Sequence, residues 1–360
     1  MVKRKKTRQV RIGKVRVGGD APVSFQSMTK VKASNVAATV AEIRRLERAG
    51  CEIIRIAVKD LDDARAVKAI RKRIRIPLVC DIHFDYRLAL ASIANGADKI
   101  RINPGNMRDE DEVVQVLRAA KRAKIPIRIG VNSGSVLTQY AIRNTQYEGA
   151  STRLVDAAMK YVKLFEKHGF RDIIISLKAS DCLSTIDAYR KVSRLCDYPL
   201  HLGVTAAGPH DSGIVKSAIG IGTLLADGIG DTIRVSLTAD PVEEVIAAKR
   251  ILSALKLRRF GPDIISCPTC GRCQVDLAAI VKKLERSIAS QGNGLRVTGN
   301  AIKSVTIAVM GCEVNGPGEA KEADIGIAFG NNCGMLFKKG KIVRRVKIED
   351  AVSAILKEIR

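Results

Sequence analysis

Nine cysteines are present, and the spacing of four of them is the first sign of chemistry. Cys267-Pro-Thr-Cys270-Gly-Arg-Cys273 is a C-x2-C-x2-C run. Two cysteines three apart on a turn aim both sulfurs at one metal centre. Cys312, at the end of the apolar stretch Val305–Met310, would close that site from a second element. The run has the local form of iron–sulfur ligation. A structural zinc site, which also favours C-x2-C, is the alternative. Two fourth ligands are on offer. Cys273 would complete an all-thiolate set. Glu319, in the tight turn Gly311-Cys-Glu-Val-Asn-Gly-Pro-Gly-Glu319, would return a carboxylate instead, or is a plain surface group. A carboxylate is a harder and more labile ligand for a cluster iron than a thiolate, and would leave an iron open to a substrate oxygen. Cys51, Cys80, Cys182 and Cys196 sit singly in strand or helix patterns and read as small core residues; Cys333 reads as a turn residue.

The second sign is a set of cations in β-branched runs. Side chains in a strand alternate faces with period two. Arg55 shares a face with Ile53 and Ala57, Arg101 with Asn103, and Arg128 with Gly130 and Asn132. Ser176 shares one with Lys178, and Arg234 with Ser236. Asp81 and His83 close a further strand, and His201 lies in another strand-end segment. An unpaired buried Arg costs several kcal/mol, so it needs an anion. Arg55, Arg101, Arg128, Lys178 and Arg234 converge with Asp81 as the obvious acid. That excess asks for a polyanion, and guanidinium forks suit a diphosphate. The plainer alternative turns some of these cations outward, to bridge carboxylates on helices.

The elements that must position these residues alternate. Strand-like runs lie at Val23–Thr29, Glu52–Val58, Pro77–Ile82, Asp98–Pro104, Ile125–Asn132, Asp172–Lys178, Pro199–Thr205 and Asp231–Leu237. Helical patterns lie between them near 37–49, 61–74, 86–95, 109–123, 151–169, 182–195, 211–226 and 240–256. This predicts an α/β fold with an N-terminal (β/α)8 TIM barrel, whose active site belongs at the C-terminal ends of the strands. An open doubly wound sheet is the structural alternative, weakened because no Gly-rich dinucleotide fingerprint follows the first strand. Arg8–Gly19 alternates and suits a hairpin closing the barrel bottom. A small α+β domain follows. It is expected to hold the Cys-rich turn, a helix near 275–290, strands near 304–311 and 324–330, a basic hairpin near 334–347 and a last helix at 348–359. The boundary falls at 258/259, giving a substrate-binding domain 1–258 and a cluster domain 259–360.

Composition narrows the class. The 360 residues are 46% hydrophobic and 28% charged, which excludes wholesale disorder. No apolar run approaches the ~20 residues that span a bilayer. The basic start MVKRKKTRQVR leads into no apolar h-region, so a cytoplasmic protein without membrane partners is expected. The net charge of +25 points to an anionic partner. With no Trp and 4% aromatics, no basic segment interleaves with stacking residues, which argues against nucleic acid.

Taken together, KTRQVRIGKVRVGGDAPVSFQSMT, RAGCEIIRIAV, DIHF, IRINPGN, RIGVNSGS, GIGDTIRVSL, SCPTCGR and VMGCEVNGPGEA resemble bacterial 4-hydroxy-3-methylbut-2-en-1-yl diphosphate synthases. These are iron–sulfur enzymes of the methylerythritol phosphate route to isoprenoids. The motifs run in order from Lys6 to Ala320. The resemblance implies a 4Fe-4S cluster on Cys267, Cys270, Cys312 and Glu319. It implies substrate contacts from Arg55, Asp81, Arg101, Asn103, Arg128, Asn132, Lys178, Arg234 and Ser236. Glu319, Asp81, His83 and Lys178 are implied as the catalytic set. The implied reaction is reductive ring opening and dehydroxylation of 2-C-methyl-D-erythritol 2,4-cyclodiphosphate. Flavodoxin or ferredoxin is the implied donor; both are usually acidic. A homodimer is implied, one subunit's cluster domain capping its partner's barrel. Two positions depart from the family. Ala206, in LGVTAAG, stands where the family carries a Glu thought to help proton delivery, which bears on turnover; Asp181 and Asp227 are candidate substitutes. Cys273 stands where the family has no cysteine. Two other functions compete: a basic zinc-containing nucleic-acid-binding protein, and a barrel enzyme condensing diphosphates without redox chemistry.

Overall fold

A computed structural model describes residues 2–103, 107, 109–132, 149–179, 181–205, 207–294, 305–312, 318, 323–330 and 332–359. Glu319 and Ala206 lie outside the described residues. The chain divides into two compact units, 1–258 and 259–360.

The first unit opens with the antiparallel hairpin β1 (Val10–Ile12) and β2 (Val15–Val17). Its Val10, Ile12 and Val17 pack on Ile53, Val79 and Ile174, near the strand starts. This is the bottom plug expected of Arg8–Gly19. Eight parallel strands follow: β3 (Ser24–Met28), β4 (Ile53–Ala57), β5 (Leu78–Ile82), β6 (Lys99–Ile102), β7 (Ile127–Asn132), β8 (Ile173–Lys178), β9 (His201–Leu202) and β10 (Thr232–Ile233). They pair in the order β8-β7-β6-β5-β4-β3-β10-β9. The Ile175 N–H donates to the Pro199 carbonyl at 2.9 Å, and a parallel bridge joins Ile175 to Leu200, closing the ring. The fold is a TIM barrel and not an open sheet. Its strands are buried on both faces, which explains their runs of Ile, Val and Leu. β9 and β10 are shorter than their runs suggest; backbone bonds continue the ladder past them, with Asp231 N–H donating to the Leu200 carbonyl at 3.0 Å and Arg234 N–H to the Leu202 carbonyl at 2.9 Å.

Helices α1 (Val36–Arg48), α2 (Leu61–Arg71), α3 (Tyr86–Ala94), α4 (Glu110–Ala123), α5 (Ala150–Lys167), α6 (Cys182–Leu195), α7 (His210–Ala226) and α8 (Pro241–Ala254) surround the strands. Asn35, Asp60, Asp85, Asp109, Asp181 and Asp240 cap the N-termini of α1, α2, α3, α4, α6 and α8, each accepting a backbone N–H. Each cap satisfies a first-turn N–H and so fixes where its helix begins, on the loop that follows a strand's C-terminal end.

The second unit holds a five-stranded sheet: β11 (Asp263–Ser266), β12 (Thr306–Met310), β13 (Ile325–Gly330), β14 (Cys333–Lys338) and β15 (Lys341–Lys347), paired in that order. β11, β12 and β13 run parallel; β14 and β15 turn back antiparallel. Helices α9 (Leu277–Gly294) and α10 (Ala351–Glu358) complete it. Leu277, Leu284 and Ile355 of the helices bury Ile307, Val309, Ile327, Phe329 and Leu336 of the sheet. The sheet departs from the expected pattern at two places. β11 was not expected: four residues, DIIS, give too short a pattern. Cys333 begins a strand, paired with Gly330 and Lys347, and is not a turn residue. Among the described residues no helix is long and apolar enough to cross a membrane.

Candidate functional site

Registration of the parallel strands sets Arg101 beside Asp81 on one side and Arg128 on the other. A cavity of about 220 Å³ opens there. It is lined by Arg55, Asp81, His83, Arg101, Arg128, Asn132, Ser176, Lys178, Thr205, Arg234 and Ser236. Of the residues singled out in the strands, Asn103 is buried just after β6 and is not among those lining the cavity.

Asp81 is the electrostatic centre. Its Oδ1 receives Arg101 Nη1 at 3.0 Å, and its Oδ2 stands 3.8 Å from Arg55 Nε and 3.5 Å from His83 Nε2. Burial alone would raise its carboxyl, but Arg55, then His83 and Arg101, hold it well below the usual carboxylate range. The cations have the opposite problem. Burial, then the other cations, pushes the Lys178 ammonium well below the ordinary lysine value. Arg55 is lowered to about 10, by burial first and against the pull of Asp81. Arg128 is 1% exposed, and its Nε and Nη1 find no hydrogen-bond acceptor among the described residues. A guanidinium does not escape by deprotonating. The lumen is therefore built to receive acceptor oxygens.

Three features were not foreseen. Glu244, in the first turn of α8, is a second buried acid: its Oε1 meets Arg234 Nη2 at 3.0 Å, and its Oε2 accepts from Ser27 Oγ at 2.9 Å. Arg234 thus both lines the cavity and bridges to a helix carboxylate, as the outward alternative described. Lys99 is fully buried, its Nζ 3.3 Å from Gln26 Oε1. It lies two residues before Arg101 on the same face, so the period-two rule already pointed to it. His201 is not at the mouth. It is fully buried, its ring nitrogens without partners among the described residues, and burial, then Arg128 and Lys178, holds it well below its ordinary value. Of the proposed substitutes for the acid missing at 206, Asp227 ends α7 at the strand-start end of the barrel and pairs with Arg190 at 2.8 Å. Asp181 is the cap of α6.

In the second unit, Cys267 follows β11 and Cys312 follows β12. Ser266 pairs with Val309, so the two cysteines leave the same end of adjacent strands. Cys267 Sγ accepts the Gly311 N–H at 3.3 Å. A methyl group built on Gly311 would overlap Cys273 Sγ and stand 3.5 Å from Cys267 Sγ. Cys273 N–H donates to the Cys270 carbonyl at 2.9 Å, closing the turn, and Cys270 is exposed. The sulfurs of Cys267 and Cys273 thus meet at Gly311, beside Cys312. Among the described residues no group of three His, Cys, Asp or Glu stands in position to hold a single metal ion. The donor chemistry nevertheless fits an iron–sulfur group. The donors are soft thiols, one sulfur takes a backbone N–H, and the site needs a glycine where a side chain would intrude.

A family model described as the GcpE TIM-barrel domain matches residues 7–249, and one described as the GcpE protein C-terminal domain matches 263–360. The chain belongs to the GcpE family. Curated GcpE-type relatives agree along nearly the whole length. The 4-hydroxy-3-methylbut-2-en-1-yl diphosphate synthase (flavodoxin) of Caldanaerobacter subterraneus subsp. tengcongensis is 54% identical, over 99% of this chain and 97% of that protein. The proteins of the same name from Clostridium perfringens and Thermodesulfovibrio yellowstonii are 51% and 50% identical, covering 99% and 100% of both chains. Among solved structures, dihydropteroate synthase from Stenotrophomonas maltophilia is similar with a TM-score of 0.53 and 16% identity, over 69% of this chain and 98% of that one. That likeness concerns the barrel fold alone. The zinc and nucleic-acid reading finds no support in any of these relatives.

Proposed function

We propose that this GcpE-family protein converts 2-C-methyl-D-erythritol 2,4-cyclodiphosphate to (E)-4-hydroxy-3-methylbut-2-enyl diphosphate, using reduced flavodoxin. The names of its relatives state the product and the flavodoxin. The single observation that carries the reading is the lumen. Arg55, Arg101, Arg128 and Lys178 crowd a buried cavity whose lining supplies one carboxylate, Asp81, and so call for a compact ligand with several phosphate oxygens.

Each residue then has a physical role. Arg128, with two unmatched nitrogens, and Lys178 neutralise one phosphate group; Arg55 and Arg234 take the other. Asn132 and Ser236 give neutral hydrogen bonds at the rim, and Asn103 supports the end of β6 beneath them. Asp81 holds Arg101 and His83 in fixed orientation, so the ligand meets preorganised donors. His83, half-exposed at the mouth, accepts Arg101 Nη1–H at 2.9 Å through Nε2, which leaves its Nδ1–H as the proton to pass toward the oxygen that leaves as water. We assign residues 1–258 to substrate binding and 259–360 to a 4Fe-4S cluster held by Cys267, Cys270 and Cys312, with Glu319 as the fourth ligand. When bound, such a cluster supplies single electrons and a Lewis-acidic iron. A homodimer belongs to the same proposal.

Anaerobic reconstitution with iron and sulfide tests it. About four irons per chain are expected, with a spectroscopic change at one iron when the cyclic diphosphate is added. One zinc and no iron, or a spectrum indifferent to the ligand, overturns the proposal.

A further inference from the structure

The basic charge of the chain is not evenly used. In the N-terminal arm, Arg4 pairs with Asp231 at 2.8 Å, Lys5 Nζ donates to the Cys196 carbonyl, and Arg8 lies over the Tyr198 ring. Those cations secure the bottom of the barrel. The hairpin of β14 and β15 is different. Lys338–Lys347 reads KKGKIVRRVK, six cations and no acid in ten residues. Lys338 pairs with Glu358 at 2.7 Å, and Lys347 stands 3.8 Å from Glu349. Lys339, Lys341, Arg344 and Arg345 form no ion pair among the described residues. Lys341 to Arg345 are exposed on both faces of the strand, with Ile342 at 65% and Val343 at 44%.

The plain reading is edge protection: lysines and a bulge keep an edge strand from pairing with another sheet. The register does slip between Leu336 and Phe337, where Val343 is the extra residue. That explains an edge strand that takes no further partner among the described residues, but not two exposed apolar side chains flanked in sequence by Lys341 and Arg344. An apolar centre with a charged rim is the anatomy of a docking surface. Its position matters too. Lys347 pairs with Cys333, and Cys333 with Gly330 at the end of β13. The Arg344–Lys347 half of β15 therefore lies at the same end of the sheet as Cys267 and Cys312. Three strand spacings, about 14 Å, separate it from β12.

We propose that β15, centred on Ile342, Val343, Arg344 and Arg345, is the docking surface for the acidic electron-donor protein, a flavodoxin. This rests on the function proposed above, which requires such a donor. The cations steer an acidic partner by long-range attraction, and the apolar pair gives a short-range seat. Docking there delivers electrons at the cysteine end of the sheet.

The test is the full-length, anaerobically reconstituted protein carrying Arg344→Glu and Arg345→Glu together, with Arg344→Lys and Arg345→Lys as the conservative control. Calorimetry with flavodoxin at ~50 mM salt is expected to show affinity lowered on the order of tenfold in the Glu variant. The lysine control should bind like the parent, and the difference should shrink at ~500 mM salt. Turnover driven by dithionite and methyl viologen should be unchanged in all three proteins, while flavodoxin-driven turnover falls in the Glu variant. Unchanged flavodoxin affinity overturns the proposal. So does a variant whose only change is its oligomeric state, which would assign the strand to a second copy of this chain. If the parent turns over nothing with dithionite, the proposed reaction fails, while the flavodoxin titration still reads the surface.

Discussion

At the residue scale, Asp81 restrains Arg55 and Arg101, two of the cations that crowd the lumen. Its carboxylate is buried, yet its pKa is depressed, because three cationic or polar groups aim at it. A group whose folded pKa lies below its unfolded value stabilises fully above that unfolded value, about pH 4, and the contribution is lost as pH falls through the folded one. At neutral pH the Asp81 charge therefore holds Arg55 and Arg101 side by side. Asp81→Asn should cost about 3 kcal/mol, the scale of a buried pair that loses one partner. Inorganic diphosphate should restore part of the lost melting temperature, by supplying the missing negative charge. Thermal unfolding with and without diphosphate checks this, and a variant as stable as the parent, or one that diphosphate does not help, refutes the role. Asp81 was legible because it sits in a strand pattern and is acidic among bases. Glu244 was not. It reaches Arg234 from the first turn of α8, and a helix residue's contact with a strand end has no signature in either period.

At the scale of elements, glycines in the strands make room for the charges. A side chain at Gly130 of β7 would overlap the Arg101 guanidinium, and one at Gly203, just after β9, would stand 2.8 Å from the Arg234 carbonyl and 2.9 Å from Lys178 Nζ. Long cations fill a barrel interior only where facing positions have no side chain. Gly203→Ala should keep the barrel folded but displace Lys178. Diphosphate affinity should drop on the order of tenfold, the equivalent of one weakened charge-assisted bond. Equal affinity by calorimetry would show that Lys178 does not bind the anion. The same geometry shows what the sequence could carry. Runs such as Ile173–Lys178 are unambiguous strands, and period two placed Arg55, Arg101, Arg128 and Lys178 inward together. The length of β9 and β10 was less legible, because strand ends depend on what the neighbouring backbone offers. β11 escaped notice since a four-residue strand is defined by pairing with β12 more than by its own pattern.

At the scale of the whole molecule, a net charge of +25 has to be tolerated in the absence of ligand, and the lumen shows how. Lys178 and Lys99 are buried among arginines, and both are held well below the ordinary lysine value, by burial first and neighbouring cations second. Each lysine gives up its proton more readily than a free one, and that option lessens a repulsion the arginines cannot avoid. An arriving diphosphate reverses this balance: it places negative charge beside Lys178, which lines the cavity, and raises the pKa of that amine. Between the free and the bound pKa the complex holds more protons than its parts, so binding takes up protons, and affinity improves as pH falls through that window. Titrating inorganic diphosphate at pH ~8 in two buffers of different ionisation enthalpy measures the uptake directly. The observed heat should differ between the buffers in proportion to their ionisation enthalpies, and Lys178→Met should remove most of the difference. A buffer dependence that Lys178→Met leaves unchanged would mean that Lys178 is already charged before the anion arrives, the protons exchanged then being the diphosphate's own, and that the cations tolerate one another through some other anion or through water.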